Sequence, residues 1–366
     1  MPLTTLQELH GPARSDATKK VYERVSARVH DDESPMPPVP NARLSASELQ
    51  TLDTWIESGA PAGTACETKP PPPPRGTPLS CNADVHMKPA SAWTMPETTD
   101  DEYVCYGFDV TNAEKRHLIG IAPLIDNPSI VHHLVLFQTD KSVSSTPKPC
   151  SMTQSASWRI VYGWAPGGGN FEFPAEAGYP QEKTTHYVVQ IHYNNIQHAK
   201  DQKDASGFDF CTTDELRPND ADSVVFGPTS FTIPARSKLD LTCDVQLPSV
   251  FPDIHLFAAF PHMHQKGTLI ATTQHDASGK SIADLGKQEA WDFQNQVYMP
   301  IDAVLHGGDT VRTRCAWKND GDQSISFGEA TQDEMCFSFT MYWPKINDPR
   351  WSWMTPSMMS QCKPTE

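Results

Sequence analysis

Nine cysteines are spread through 366 residues, yet no two of them form a C-x-x-C pair, and there is no C-x-x-C-H. A cysteine-clasped zinc site, a thioredoxin-type motif and covalently attached haem are therefore excluded from this chain. Cations are also few, 29 against 45 acidic residues, for a net charge of −16. Such a balance argues against nucleic-acid binding through phosphate contacts. No apolar run is long enough to span a bilayer. Met1-Pro2-Leu3-Thr4 lacks the shape of a secretory leader. Nine cysteines in a chain of this size nevertheless indicate disulfides and an oxidising compartment. The two observations agree if the chain is a piece of a longer precursor, so a periplasmic or secreted, extracytoplasmic location is expected.

Length suggests two or three domains. Residues 1–64 read as helical. Ser15 to Val29 is polar with helical spacing, and Ser45 with Glu48 forms a capping box before a second helix. Leu49, Leu52, Trp55 and Ile56 share one face of that helix, and Gly59 ends it. With Met36 in a Met-Pro loop and Trp55 to Pro61 reading W-I-E-S-G-A-P, the segment resembles the C-terminal part of a small cytochrome c domain. The missing C-x-x-C-H makes it a remnant without haem. Residues 65–80, with Pro70 to Pro74, read as a stiff linker.

Helical periodicity is scarce after Cys81. Short alternating runs replace it, among them Tyr103 to Val110, Ile130 to Thr139, His186 to Asn194, Ile254 to Phe260 and Met335 to Trp343. Many strands without intervening helices predict an all-β architecture of two consecutive antiparallel β-sandwich (jelly-roll) domains. The expected division is 81–220 and 221–366, with the Arg217-Pro218-Asn219-Asp220 turn at the junction.

Four stretches carry candidate ligands: Val131-His132-His133-Leu134, Gln190-Ile191-His192-Tyr193, Phe260-Pro261-His262-Met263-His264 and Asp333-Glu334-Met335-Cys336. His262 and His264, two apart on a strand, point to one face. With Met335 they make a set of two imidazoles and a thioether, which suits copper, Cu(I) in particular. Met335 by itself also fits core packing, and Met263, on the opposite face, reads as packing. His132 and His133 are adjacent, so both can serve one metal only where a strand begins or bulges. On the strand around His192, Tyr187, Val189, Ile191 and Tyr193 form the core face, leaving Gln190 and His192 free for a site. Three imidazoles suit copper cycling between Cu(II) and Cu(I), and zinc equally.

The order and spacing of these stretches, together with Asp101-Glu102-Tyr103-Val104-Cys105 and Met341-Tyr342, resemble the copper type II, ascorbate-dependent monooxygenases. The resemblance covers roughly residues 81–362. It implies two sandwiches facing a solvent-filled cleft. It implies an electron-transfer copper on His132, His133 and His192, and an oxygen-binding, catalytic copper on His262, His264 and Met335. It also implies electrons from ascorbate or another one-electron donor. Disulfides implied by the resemblance are Cys105–Cys150, Cys243–Cys362 and Cys315–Cys336. One further pair is expected among Cys66, Cys81 and Cys211, with Cys81–Cys211 the first choice.

The amidating members of that family hold a peptide carboxylate with an Arg, an Asn and a Tyr. Here those positions are Phe260, Phe337 and Phe339. Together with Gln190 they are candidate pocket residues, although the phenylalanines also fit plain sandwich packing. An aromatic lining offers a carboxylate no partner. The expected activity is hydroxylation of a C–H bond in a neutral, apolar small molecule by O2, in a bacterial-type protein with a possible cytochrome-like redox partner. The alternatives are a non-catalytic copper-binding or copper-storage protein and a haem-coupled electron-transfer module.

Overall fold

The computed structural model describes residues 6–13, 16–31, 36, 43–62, 78–151, 158–196, 198–293, 295–330, 332–348 and 351–365. The chain divides into two compact units, Met1–Pro71 and Pro72–Glu366. In the first, the Ser45 hydroxyl accepts from the Glu48 N–H and the Glu48 carboxylate accepts from the Ser45 N–H, starting the helix Ala46–Glu57. Leu49, Leu52, Trp55 and Ile56 are half-buried. Gly59, at φ +85°, takes the chain out of the helix. The helix read from Ser15 starts later, at Val21, and Asp16–Lys20 is a strand paired with Pro12–Ala13. There the Asp16 carboxylate accepts from both the N–H and the hydroxyl of Thr18, a local bond that competes with helix formation. Met36 is 39% exposed. Cys66 and most of the proline-rich stretch lie outside the described residues.

The second unit is built from strands. One five-stranded sheet runs, in spatial order, Lys148–Pro149, Asp101–Thr111, Thr184–Asn194, Val131–Thr139, Arg159–Trp164. Its partner runs Asn219–Asp220, Ala177–Gln181, Arg116–Leu124, Gly207–Thr213, Val85–Met87, with Phe171–Glu172 also on Arg116–Leu124. Ala177–Gln181 and Asn219–Asp220 pair in parallel, an exception to the expected antiparallel pattern. Tyr187, Val189, Ile191 and Tyr193 meet Leu118, Ile121, Phe208 and Phe210 between the sheets. Burying an aliphatic or Phe side chain in this way contributes roughly 1.5–3 kcal/mol.

A second pair of sheets follows. Asp222–Phe226, Cys336–Trp343, Ile254–Met263 and Met299–Leu305 form one. Ser281–Gln288, Gly267–His275, Thr310–Asn319, Ser237–Gln246 and Gln361–Pro364 form the other. Val224, Leu256, Leu285, Val311 and Tyr342 fill part of the space between them, and Met263 is fully buried in a neighbouring cluster. Four disulfides are present: Cys81–Cys211, Cys105–Cys150, Cys243–Cys362 and Cys315–Cys336. Cys315–Cys336 ties the two sheets of the second sandwich together directly beside Met335.

The Gln190 face of Thr184–Asn194, expected to be available for a site, carries His192 into the histidine cluster but is covered at Val188 and Gln190. Val188 and Gln190 are 0% exposed and His192 is 1% exposed. Val188, Phe137, Trp158 and Ile160 pack with Phe339 and Trp353 from beyond the junction. Trp353 donates its Nε1–H to the Trp158 carbonyl at 2.6 Å, and Arg159 pairs with Asp222 at 2.5 Å. The two sandwiches thus share a buried contact, and the strand Thr184–Asn194 is buried on both faces from Tyr187 to Tyr193.

Candidate metal centres

The register of Val131–Thr139 against Thr184–Asn194 slips at its first residues. His133 opposes His192, and Val131 opposes Tyr193, which leaves His132 as the extra residue of a bulge. In an unbroken strand His132 and His133 would face opposite ways. The bulge turns both toward His192. His132 Nδ1 lies 3.3 Å from His133 Nδ1 and 3.2 Å from His192 Nδ1. Ring nitrogens of all three lie within 4.8 Å of one another. A tetrahedral ion with metal–nitrogen bonds of about 2.0–2.1 Å needs nitrogens roughly 3.3 Å apart, so the spacing fits a bound first-row metal.

The outer nitrogen of His192, Nε2, lies 2.9 Å from the Asp101 carboxylate. Tyr103 lies flat on the same ring at 4.2 Å. A carboxylate in that position fixes the ring's orientation and tautomer. Burial pushes His132 down to about 4 and His133 well below the ordinary histidine value. Both are therefore neutral at pH 7, the form that ligates.

His262 lies on Ile254–Met263 and His264 just beyond it, with ring centroids 5.3 Å apart. His262 Nδ1 is 2.7 Å from Gln296 Oε1, and the Gln296 amide is held in that sense because its Nε2 donates to the Phe293 carbonyl. His264 Nδ1 donates to the Asp333 carbonyl at 2.9 Å. Both Nδ1 atoms carry protons, so each Nε2 keeps its lone pair. Burial lowers His262 to about 3 and lowers His264 as well. His262, His264 and Met335 line one cavity, and Met335 is 2% exposed. Such a donor set fits copper.

Glu334 braces this set. Its fully buried carboxylate accepts from the backbone N–H groups of His264, Lys266 and Met335 and from Trp317 Nε1. Burial raises it to about 7 even though all four bonds favour the charged form.

The cavity measures about 60 Å³, and His133 reaches it from the first sandwich. Aromatic side chains stand against both sets. Phe260 and Phe339 line the cavity, 6.3 and 6.1 Å from His262. His132 stacks on Phe293 at 5.0 Å, and Tyr103 donates its hydroxyl to the Glu329 carbonyl at 2.5 Å. Phe337 and Gln190 do not line the cavity. Phe337 packs behind Met335 with Val225 and Phe327. The Gln190 amide is directed at Cys150 Sγ, 3.8 Å away.

One segment at this site escapes the sequence reading. Trp291 donates to the His264 carbonyl, Phe293 covers His132, Gln296 holds His262, and Tyr298 lines the cavity. These residues sit on a connection without strand alternation. The available signal is three aromatics and two glutamines in ten residues, Glu289 to Tyr298, since loops on a rigid scaffold often carry function.

These features define a two-sandwich β protein with a candidate metal set on each sandwich and an apolar cavity where the sets approach. Residues 85–200 match the N-terminal domain, and residues 221–362 the C-terminal domain, of the copper type II ascorbate-dependent monooxygenases. The chain belongs to that family. It is 30% identical over 252 residues to a tyramine beta-hydroxylase of Caenorhabditis briggsae, covering 62% of this chain and 42% of the relative. It is 28% identical over 295 residues to the DBH-like monooxygenase protein 1 of Homo sapiens, covering 72% and 47%. It is 24% identical over 273 residues to the dopamine beta-hydroxylase of Rattus norvegicus, covering 68% and 44%. The chain spans less than half the length of each of these relatives.

Proposed function

We propose that this chain is a copper-dependent monooxygenase. It inserts one atom of O2 into a substrate C–H bond and releases the other as water, taking two electrons, one at a time, and two protons from outside. His132, His133 and His192 hold the electron-transfer copper. His262, His264 and Met335 hold the oxygen-activating copper. Bound copper supplies the one-electron chemistry and the activation of oxygen.

The residues around the sets prepare the rest. Asp101, Gln296 and the Asp333 carbonyl keep protons on the outward nitrogens, so the inward ones stay free to ligate. Phe260 and Phe339 exclude water and present no partner to a carboxylate. The substrate is accordingly a neutral, apolar small molecule and not a peptide carboxylate. The reductant is ascorbate or another one-electron donor, and the cytochrome-like segment points to a haem protein as one such partner. The functional division is 1–64, 65–80, 81–220 and 221–366. The protein works in an extracytoplasmic compartment, periplasmic or secreted, which the four disulfides support.

The observation that carries this reading is that both ligand sets, one on each family domain, contribute to one apolar cavity. Metal analysis after reconstitution should find two coppers per chain. The loaded protein should couple oxygen uptake to ascorbate oxidation and to hydroxylation of an alkylbenzene, and should leave a glycine-extended peptide unconverted. A single copper, or stoichiometric zinc that copper cannot displace, would sink the two-copper assignment. Two bound coppers without oxygen uptake would return the chain to a copper-binding role. Efficient amidation would refute the substrate class.

A further inference from the structure

Tyr298 stands just before the strand Met299–Leu305 and separates two spaces. On one side it lines the cavity of about 60 Å³ beside His262. On the other it lines an outer groove of about 710 Å³, with Phe171, Phe257 and Trp343. Among the described residues it is the only one that borders both. The ring is fixed from both sandwiches. It lies nearly parallel to Tyr162, centroids 5.2 Å apart at 14°, and 4.9 Å from both Phe171 and Phe260. Its hydroxyl accepts the Gly163 N–H at 3.3 Å. A side chain held on so many sides does not swing away cheaply.

The inner space is small. A water needs roughly 10–15 Å³ of such volume, so the cavity has room for about four waters, less than half of the roughly 150 Å³ that takes a whole benzene ring, and a single ring more than fills it. A longer apolar molecule reaching in from His262 meets the Tyr298 ring, and the groove that would accept its remainder lies directly behind.

We propose that Tyr298 is the end wall of the substrate cavity and sets the upper size of the substrate at no more than one ring. This deepens the monooxygenase reading and rests on it for the word substrate. Tyr298 acts here as a specificity-determining residue through its ring, which occupies space, and not through its hydroxyl.

The test is equilibrium binding of two neutral probes, benzyl alcohol and 4-phenylbenzyl alcohol, to the copper-loaded protein with oxygen excluded, by titration calorimetry. The unmodified protein should prefer the smaller probe by about tenfold or more, because overfilling a packed cavity is unfavourable. Tyr298→Ala joins the two spaces and should bring the probes within about threefold of each other or reverse their order, since the second ring gains apolar surface in the groove. Tyr298→Phe should keep the original preference. Circular dichroism and copper content check that the variants fold, and Tyr298→Leu reads the same gap if the alanine variant does not. A preference unchanged when the ring is removed overturns the proposal. So does loss of the preference in Tyr298→Phe, or failure of the unmodified protein to bind benzyl alcohol. Oxygen uptake is measured separately. Turnover without the expected binding pattern rejects the wall alone, and the binding pattern without turnover rejects the monooxygenase reading alone.

Discussion

Met335 faces the cavity and also packs on Val225 and Phe337, so it is at once a candidate ligand and a core side chain. Met335→Ile separates the two roles. A volume-conserving apolar swap usually costs less than about 1.5 kcal/mol, while the sulfur is lost outright. The variant should keep its circular dichroism and its first copper, lose the second, and lose hydroxylation. Full activity would remove Met335 from the ligand set. The neighbouring Glu334 makes a different demand, because its carboxylate receives four N–H groups. In Glu334→Gln an amide NH2 must face at least one of those donors. An unsatisfied buried donor costs about 1–3 kcal/mol. Urea unfolding should show a loss of that order, and copper titration a weaker second site beside an unchanged first one. Unaltered stability would mean that the four bonds do not brace the site as described.

Along whole strands, pairs of opposite charge cross the five-stranded sheet of the second sandwich. Arg312 bonds Asp244 and Arg314 bonds Asp240, between Thr310–Asn319 and Ser237–Gln246. The arginine bonds hold both carboxyls below their ordinary 3.8. A carboxyl lowered by folding adds stability that is fully present above its unfolded value and is lost as pH falls through the folded one. Denaturant midpoints should therefore drop as pH is taken below about 4, and Arg312→Gln should reduce the drop. An identical acid profile in the variant would exclude the Asp244 pair as a contributor. The strands themselves were legible in the sequence, because alternation at Tyr187, Val189, Ile191 and Tyr193 marks a core face whatever lies on the other side. The opposite face was legible only in part: His192 joins the histidine cluster as its face suggests, but nothing in the order of residues says that Phe339 and Trp353 come to cover Val188. The histidine stretches stood out because ligand type and spacing are local properties. Gln296 and Tyr298 did not, because they act from a connection with no period to detect. Phe337 and Phe339 share a strand face, but only packing decides that Phe339 reaches the cavity while Phe337 stays behind Met335.

For the molecule as a whole, the contact between the sandwiches has thermodynamic weight. Trp353 packs against Phe137 and Trp158 across the junction, and Arg159 pairs with the buried Asp222. Residues 78–365 should therefore unfold in one calorimetric transition, and Trp353→Ala, a large-to-small change at a half-buried contact costing at most roughly 3–5 kcal/mol, should split it in two. Two separate transitions in the unmodified protein would show that the sandwiches melt independently. The bulge at His132 carries a consequence of another kind. Two histidines turn to the same side only because one residue is left without a partner opposite it. The stretch from Asn127 to His133 therefore has a fixed count. Removing a single residue there would restore an even ladder and rotate one imidazole away from the other two, with no side chain in the triad altered. Chain length at this one place is as much a part of the centre as the histidines are, whereas a turn such as Asp276–Gly279, which follows the last residue of the strand Gly267–His275, can lengthen without touching it.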